Sequence, residues 1–330
     1  VNEIRISEGT AAVLGLNQVR AITPPRTAYL MIGEGCPRDC AFCAQARSAT
    51  GPAGHLSRVV WPSYPTAIVI ERLARAAEMG ALERVCLQTV AGAASLAAVR
   101  SLLPVLTAAI GLPVSASVYL RDLDDLAGLF DLGLDRVGIA IDAASPEVYR
   151  RTKHGDQAAA LGFLAAAAAA HPGRVSTHLI VGMGETEQES LTFVDWSLAQ
   201  GITVGLFAFT PVRGTGMATV PPPPLASYRR IQAATELMRR GVAELGHYRF
   251  DADGRLAGID LPRRTVETAL ADGRGFETSG CAACNRPYYN ERPGHVPYNY
   301  PAPLSRAELD AAIGPILAVV SAPGRPSGDE

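Results

Sequence analysis

The stretch GEGCPRDCAFCAQARS, residues 33–48, places Cys36, Cys40 and Cys43 within eight residues, separated by three and then two positions. The chain has 330 residues and only three further cysteines: Cys86 alone, and Cys281 with Cys284. So few thiols in so long a chain do not form a disulfide framework. Tight thiol clusters of this kind in a reducing compartment bind metal. Immediately upstream, TAYLMIG (27–33) reads as a buried strand running into the cysteine loop.

Outward from that loop a beat repeats. Ile70, Leu73, Ala74 and Ala77 form an apolar helical stripe ending near Gly80, and RVCLQTV (84–90) reads as a strand. A helix is expected over 95–109 with Pro104 as a kink, then a strand over 113–120 and a short helix over 122–132. RVGIAI (136–141) is the next strand, the alanine-rich run before His171 the next helix, and VSTHLIVG (175–182) the next strand. Thr186 and Glu189 form a capping box that opens a helix stopping near Gly201. ITVGLFAF (202–209) follows as a strand, PPPPLASYRR opens another helix, and YRF at Tyr248 reads as a last strand. Strands alternating with helices over short loops make a parallel sheet. Six to eight such units predict an α/β fold, a complete or partial (β/α) TIM-type barrel with a C-terminal cluster-binding cap. No GxGxxG opens a helix after the first strand, which argues against a dinucleotide-binding sheet.

The division expected is an N-terminal extension (1–26), the barrel (27–280), a C-terminal segment with a helix (281–320) and a disordered tail (321–330). Residues 281–301 are rich in Pro, Tyr and Asn without periodicity, and Ser305 with Glu308 makes a second capping box. Net charge is -2 and the pI about 6.4, which offers no electrostatic case for nucleic acid or an anionic membrane. No signal-peptide pattern is read in residues 1–16, and no apolar run of about 18 residues is read anywhere, so a cytoplasmic protein with no membrane span is expected.

A zinc site takes four ligands from paired motifs. The first loop offers three thiols and no neighbouring histidine. Three thiolates can hold three irons of a [4Fe–4S] cubane and leave the fourth open. The loop follows the first strand, at the end of a barrel where barrel chemistry sits. With Phe42 just before the last cysteine, C-x3-C-x2-C resembles the radical S-adenosylmethionine (SAM) superfamily. That resemblance implies a cluster on Cys36, Cys40 and Cys43 whose open iron chelates SAM. The abstracting agent is then a 5′-deoxyadenosyl radical and no protein side chain is assigned as catalytic. HLIVGMGETEQE (178–189) and FTPVRGTGM (209–217) are similar to stretches of the biotin-synthase-like branch. The resemblance as a whole implies SAM contacts from Phe42, Gly182, Gly184 and Glu185, and places Asp142, at the end of RVGIAID, where it would meet the SAM ribose or else cap its loop. For Gly182 and Gly184 the expected benefit is close approach of backbone to ligand.

Biotin synthase carries an auxiliary cluster on three strand cysteines. Cys86 matches the first, but VSASVY and VSTHLI have Ser and Thr where the other two are needed. Cys281 and Cys284 are the replacement. If the C-terminal loop folds over the barrel mouth, and Cys86 sits at the C-terminal end of its strand, Cys86, Cys281 and Cys284 supply a second [4Fe–4S] cluster. Zinc is the alternative for the pair, with His295 the one histidine nearby. CNRPYYNERPG (284–294) resembles the C-terminal motif of archaeal-type two-component lipoyl synthases. Membership would imply sulfur insertion into an octanoyl chain on a carrier-protein lysine, a second radical SAM protein, and a low-potential donor such as ferredoxin or flavodoxin. Arg286, Tyr288, Asn290 and Arg292 are candidates for covering the second cluster. The competing readings are biotin synthase, a radical SAM rearrangement or C–C bond change, and a non-catalytic iron–sulfur scaffold. The six histidines show no metal-ligand spacing. His178 is read as interior packing, and RRTKHG (150–155) as solvated surface at the mouth.

Overall fold

The computed structural model describes residues 2–19, 22–51, 54–287, 289 and 294–320. Its strands are β1 (Glu3–Ile6), β2 (Thr27–Ile32), β3 (His55–Leu56), β4 (Val59–Val60), β5 (Ser63–Pro65), β6 (Arg84–Thr89), β7 (Val114–Ser117), β8 (Arg136–Gly138), β9 (Val175–Val181), β10 (Thr203–Ala208), β11 (Tyr248–Phe250) and β12 (Leu256–Ile259). The main sheet runs β10-β9-β8-β7-β6-β2-β1-β5. From β2 to β10 neighbouring strands are parallel; β1 pairs antiparallel with β2 and with β5. The barrel is therefore partial: six parallel strands curl in sequence order, and the N-terminal segment supplies β1 to the same sheet.

Each parallel strand alternates. In β2, Ala28, Leu30 and Ile32 pack into the main core, while Tyr29 and Met31 face inward with Trp61. The outer faces meet helices. In helix Thr66–Glu78 the buried face is Thr66, Val69, Leu73 and Ala76; the expected stripe of Ile70, Ala74 and Ala77 is only half-buried beside it. Helix Ala93–Ile110 continues through Pro104 as one element and buries Leu96, Val99, Leu103 and Leu106. Its 18 residues and mean hydropathy of 1.7 meet the length and composition of a membrane span, contrary to the reading that no such run exists. Here its apolar side is spent on the sheet.

Other expectations change. The strand over 113–120 shortens to β7, and RVGIAI to β8 plus an isolated bridge from Asp142 to Leu179. YRF is a strand, but β11 pairs only with β12 in a separate antiparallel hairpin. Helix Pro146–Lys153 went unread. It buries the Lys153 side chain, read as solvated surface, because the helix turns that face toward the strand ends. The tail at 321–330 lies outside the described residues.

The Thr186–Glu189 capping box forms as read and opens helix Glu187–Ala199. Glu187, in its first turn, is locked to helix Leu225–Arg239. Arg230 Nε donates to its carboxylate at 2.9 Å, Ser227 Oγ at 2.7 Å and the Leu256 amide at 3.1 Å. Both partners of the ion pair are buried. Glu187→Ala leaves Arg230 charged and unpaired, so it is expected to cost about 3–5 kcal/mol in urea unfolding. Exposed pairs such as Arg306 with Asp310 should cost under about 1 kcal/mol when broken.

Candidate metal centre

Barrels are ordinarily filled by bulky branched side chains. Here most inward positions are small or polar, Cys86 and Gln88 on β6, Ser115 on β7, Ser176 and His178 on β9 and Gly205 on β10, with Phe207 on β10 the bulky exception among these. Strand register places Tyr29 beside Cys86, Cys86 beside Ser115, and Ser115 beside Arg136. Two connected chambers result, of about 160 Å³ at the C-terminal ends of the strands and about 60 Å³ below. Gln88, His178, Phe207 and Tyr289 line both. Phe207 organises this partition: His178 meets its ring edge-on at 5.0 Å, Tyr289 at 5.5 Å, and the Arg286 guanidinium stacks at 3.7 Å.

The upper end is built by the cysteine loop. Cys36 N donates to Gln45 O at 3.1 Å and Cys43 N to Cys40 O at 3.0 Å, so the backbone folds back and gathers the thiols. Ala41 ties the loop to both neighbours: its amide donates to Thr152 O at 2.7 Å, and its carbonyl accepts from Met217 N at 3.0 Å. Gly216 suits that junction, because a Cβ there would stand 3.3 Å from Ala41 O, tighter than an ordinary contact. Phe42, Cys43 and Asp142 line the upper chamber. Burial pushes the Cys40 thiol up, opposed by the Lys153 charge, and pushes Cys43 up to about 12. Lys153 Nζ donates to Asp142 at 2.7 Å and to Ala140 O at 2.5 Å. Burial works against its charge, but the Asp142 carboxylate prevails and raises its pKa. Asp142, expected to be free for a ribose, thus already has one oxygen engaged.

The lower end corrects the expected geometry. Cys86 is the third residue of β6, not its last, and the C-terminal loop closes the N-terminal ends of the strands, not the mouth. The first residues of β2 and β6 hold it: Thr27 Oγ1 donates to Ala283 O at 3.0 Å and Arg84 Nε to Ala282 O at 3.1 Å. Asn285 accepts from Arg26 N and donates to Pro24 O, both at 3.0 Å. Cys86, Cys281 and Cys284 come together in the lower chamber from below. Burial and the neighbouring sulfurs push Cys86 up to about 12, and Cys281 rises likewise, against Arg136, Arg84 and Arg286.

No three His, Cys, Asp or Glu side chains among the described residues stand as a ready shell for a single metal ion. Zinc draws its sulfurs to about 2.3 Å, whereas a cubane spreads its thiolates over several irons. The lower set offers three soft sulfur donors on one chamber, and the upper loop offers three within eight residues with Cys43 on its chamber. Burial favours the neutral thiol at Cys40, Cys43, Cys86 and Cys281, and thiolate ligation to a cation offsets that cost. One further atom fits a sulfur-rich guest: the Trp61 indole N–H is buried against the lower chamber with no hydrogen-bond partner among the described residues. The donor sets fit iron–sulfur clusters.

Gly182, Gly184 and Glu185 line another cavity, of about 940 Å³, beside Pro221–Pro224, which Ala41 of the cysteine loop also lines. Both glycines have positive φ, 104° and 122°, and a Cβ would run into the Pro223 ring or the Arg151 guanidinium. The Glu185 carboxylate accepts from Gly182 N at 2.5 Å and Met183 N at 3.2 Å, bracing its own turn. His295 lies on the surface, away from the pair. Tyr288, Asn290 and Arg292 lie outside the described residues. Residues not singled out as site residues, Tyr29, Trp61, Gln88, Lys153 and Tyr289, are brought to the centre. For Gln88 a signal existed: the alternation C-x-Q on β6 points it the same way as Cys86.

Against known proteins, residues 30–196 match the Radical SAM superfamily model. The chain belongs to the radical SAM superfamily. It is 29% identical over 282 residues, 80% of this chain and 50% of the relative, to a ribosomal protein uS12 methylthiotransferase RimO of Frankia casuarinae. It is also 29% identical over 208 residues, 58% of this chain and 42% of the relative, to the RimO of a Nocardioides species. The chain thus spans half or less of the length of these curated relatives. The fold is similar to the FeFe-hydrogenase maturase HydG from Carboxydothermus hydrogenoformans, with TM-score 0.51 and 15% identity over 74% of this chain and 56% of that one. A radical SAM enzyme uses a [4Fe–4S] cluster and SAM, and Cys36, Cys40 and Cys43 are this chain's match to the cluster motif.

His178 generates a pH prediction. It faces internal space, not bulk solvent, and burial lowers its pKa to about 4, helped by Arg286 and Lys153 and opposed by Asp142. The folded chain prefers the neutral ring. The unfolded chain takes up a proton as pH falls through 6.5, and the folded chain does so only near 4. This contribution is therefore complete above pH 6.5 and falls by about 3 kcal/mol toward pH 4. His178→Gln is expected to flatten that acid limb in urea unfolding of the metal-free chain.

Proposed function

We propose that this chain is a radical SAM sulfur insertase with a cluster at each end of one barrel interior. A single observation carries the reading: Cys86, Cys281 and Cys284 line the lower chamber, Cys43 of the Cys36–Cys40–Cys43 loop lines the upper one, and Gln88, His178, Phe207 and Tyr289 line both. When bound, the upper group supplies a 5′-deoxyadenosyl radical from SAM and the lower supplies sulfide. The chain's part is to hold both, to keep water from the space between them, and to position a C–H there. Phe42, Ile180 and Phe209 offer the upper chamber an apolar lining, and Asp142, oriented by Lys153, offers a carboxylate beside Cys43.

The substrate proposed is an octanoyl chain on a carrier-protein lysine, giving a lipoyl group. An aliphatic chain suits apolar walls, and the two RimO relatives are by name methylthiotransferases of a ribosomal protein. Biotin synthase ranks behind it, because Ser115 and Ser176 stand on the inward faces where strand cysteines would be needed. A second radical SAM protein, a ferredoxin- or flavodoxin-like donor and a cytoplasmic setting belong to the same proposal.

The test begins with anaerobic reconstitution of a Cys36→Ala, Cys40→Ala, Cys43→Ala variant. About four irons and four sulfides per chain, with a [4Fe–4S] Mössbauer spectrum, are expected. Cys281→Ala and Cys284→Ala, in the otherwise native chain, should keep reductive SAM cleavage and lose sulfur transfer to octanoyl-lysine peptides. Transfer that survives both changes sinks the sulfur-donor assignment. A native chain that never cleaves SAM when reduced would be a scaffold.

A further inference from the structure

The lower chamber holds more than its three cysteines. Trp61 is 3% exposed, packs with Tyr29 and Met31 against Cys86 and Cys284, and lines the chamber. Its Nε1–H has no acceptor among the described residues. A buried indole N–H ordinarily finds a partner, and leaving one unmet costs about 1–3 kcal/mol. The acceptors that a ligated chamber adds are sulfur atoms. Gln88 already shows the pattern: its Nε2 donates to Cys86 Sγ at 2.9 Å. Tyr29 shows it again. Its hydroxyl oxygen accepts from Arg286 N at 3.2 Å, which leaves the hydroxyl proton for Cys284 Sγ at 3.4 Å. Tyr29 is also the register neighbour of Cys86 across the β2–β6 pair. Two groups from β2 and β6 thus already reach the cysteine sulfurs, and a third, the Trp61 N–H, is buried beside the same chamber with its proton unmet among the described residues.

We propose that Trp61, Tyr29 and Gln88 form a hydrogen-bond donor set for the sulfur atoms of the lower chamber, and that this set raises the reduction potential of the cluster held by Cys86, Cys281 and Cys284. The proposal rests on the second-cluster reading above. Its physical basis is that sulfur becomes electron-richer on reduction, so N–H and O–H donors stabilise the reduced form more than the oxidised one. The three act as positioning and tuning residues, through the cysteines and the sulfurs those hold.

The test uses the Cys36→Ala, Cys40→Ala, Cys43→Ala background, in which only the lower site can be loaded. Trp61→Phe and Tyr29→Phe are each added, reconstituted anaerobically and titrated electrochemically with EPR detection. Both are expected to keep the parent's iron content and to titrate at more negative potential. Trp61→Phe should also lose an exchangeable-proton coupling in electron–nuclear double resonance. Unchanged potentials in both variants, with iron retained, overturn the donor set and leave the cluster reading intact. If Trp61→Phe fails to assemble a cluster, Tyr29→Phe decides: it removes one oxygen and keeps the ring. A parent that holds no iron fails the cluster reading itself, and the donor set falls with it.

Discussion

A barrel of parallel strands has to fill its own interior, and here the strands decline to do so. Val85, Leu87, Val114, Ala116 and Val137 spend the apolar bulk on the helix-facing side. The inward side carries Cys86, Gln88, Ser115, Ser176 and Gly205, too small or too polar to pack against one another. The space left must be taken up by something else. The chain contributes Trp61 from the segment after the cysteine loop and Tyr289 from the C-terminal segment, and the remainder is chamber. Much of the centre follows from that arrangement: the partition round Phe207, the inward aim of Gln88 and His178, and a cap that plugs the open lower end.

The two ends are closed by different physics. Above, the cysteine loop is held by backbone hydrogen bonds through Ala41, and the buried Lys153 ammonium is paired with Asp142 beside Cys40. Below, the cap is held by side chains at the strand starts, which satisfy the carbonyls of Ala282 and Ala283. Arginines gather there: Arg84, Arg136 and Arg286 act on Cys281. Of these, Arg84 is paired with Asp135 at 2.6 Å, so part of that charge is already spent on the fold. The lower thiols thus line one chamber with arginines acting on Cys281, and Lys153 acts on Cys40 above, an arrangement that favours thiolate once a metal is present.

Much of this was legible from local pattern. The strands β2, β6, β9 and β10, the helices between them and both capping boxes follow from period and cap chemistry, which act over a few residues. The errors have physical causes too. The stripe on helix Thr66–Glu78 was set one step off, because Ile70 outranks Thr66 in hydrophobicity and yet Thr66 lies on the face that meets the sheet. Arg150–Lys153 read as surface because Lys is rarely buried unpaired, and its partner Asp142 stands 11 residues away at an isolated β-bridge with φ of 66°. YRF had the composition of a barrel strand, but the sheet had already ended at β10.

The sequence by itself determined that three thiols follow the first strand of a parallel α/β sheet, because cysteine spacing and strand–helix alternation are short-range properties. It also determined that six cysteines fall into two sets of three by number. Only the tertiary structure decided that the second set assembles at the N-terminal ends of the strands. Which end of a barrel a distant loop reaches depends on how the whole sheet curls and where the last helix returns the chain, and no local period records that. The same holds for Tyr29, Trp61 and Tyr289. Each reads as an ordinary aromatic until strands and loops from opposite ends of the chain bring it against the sulfurs.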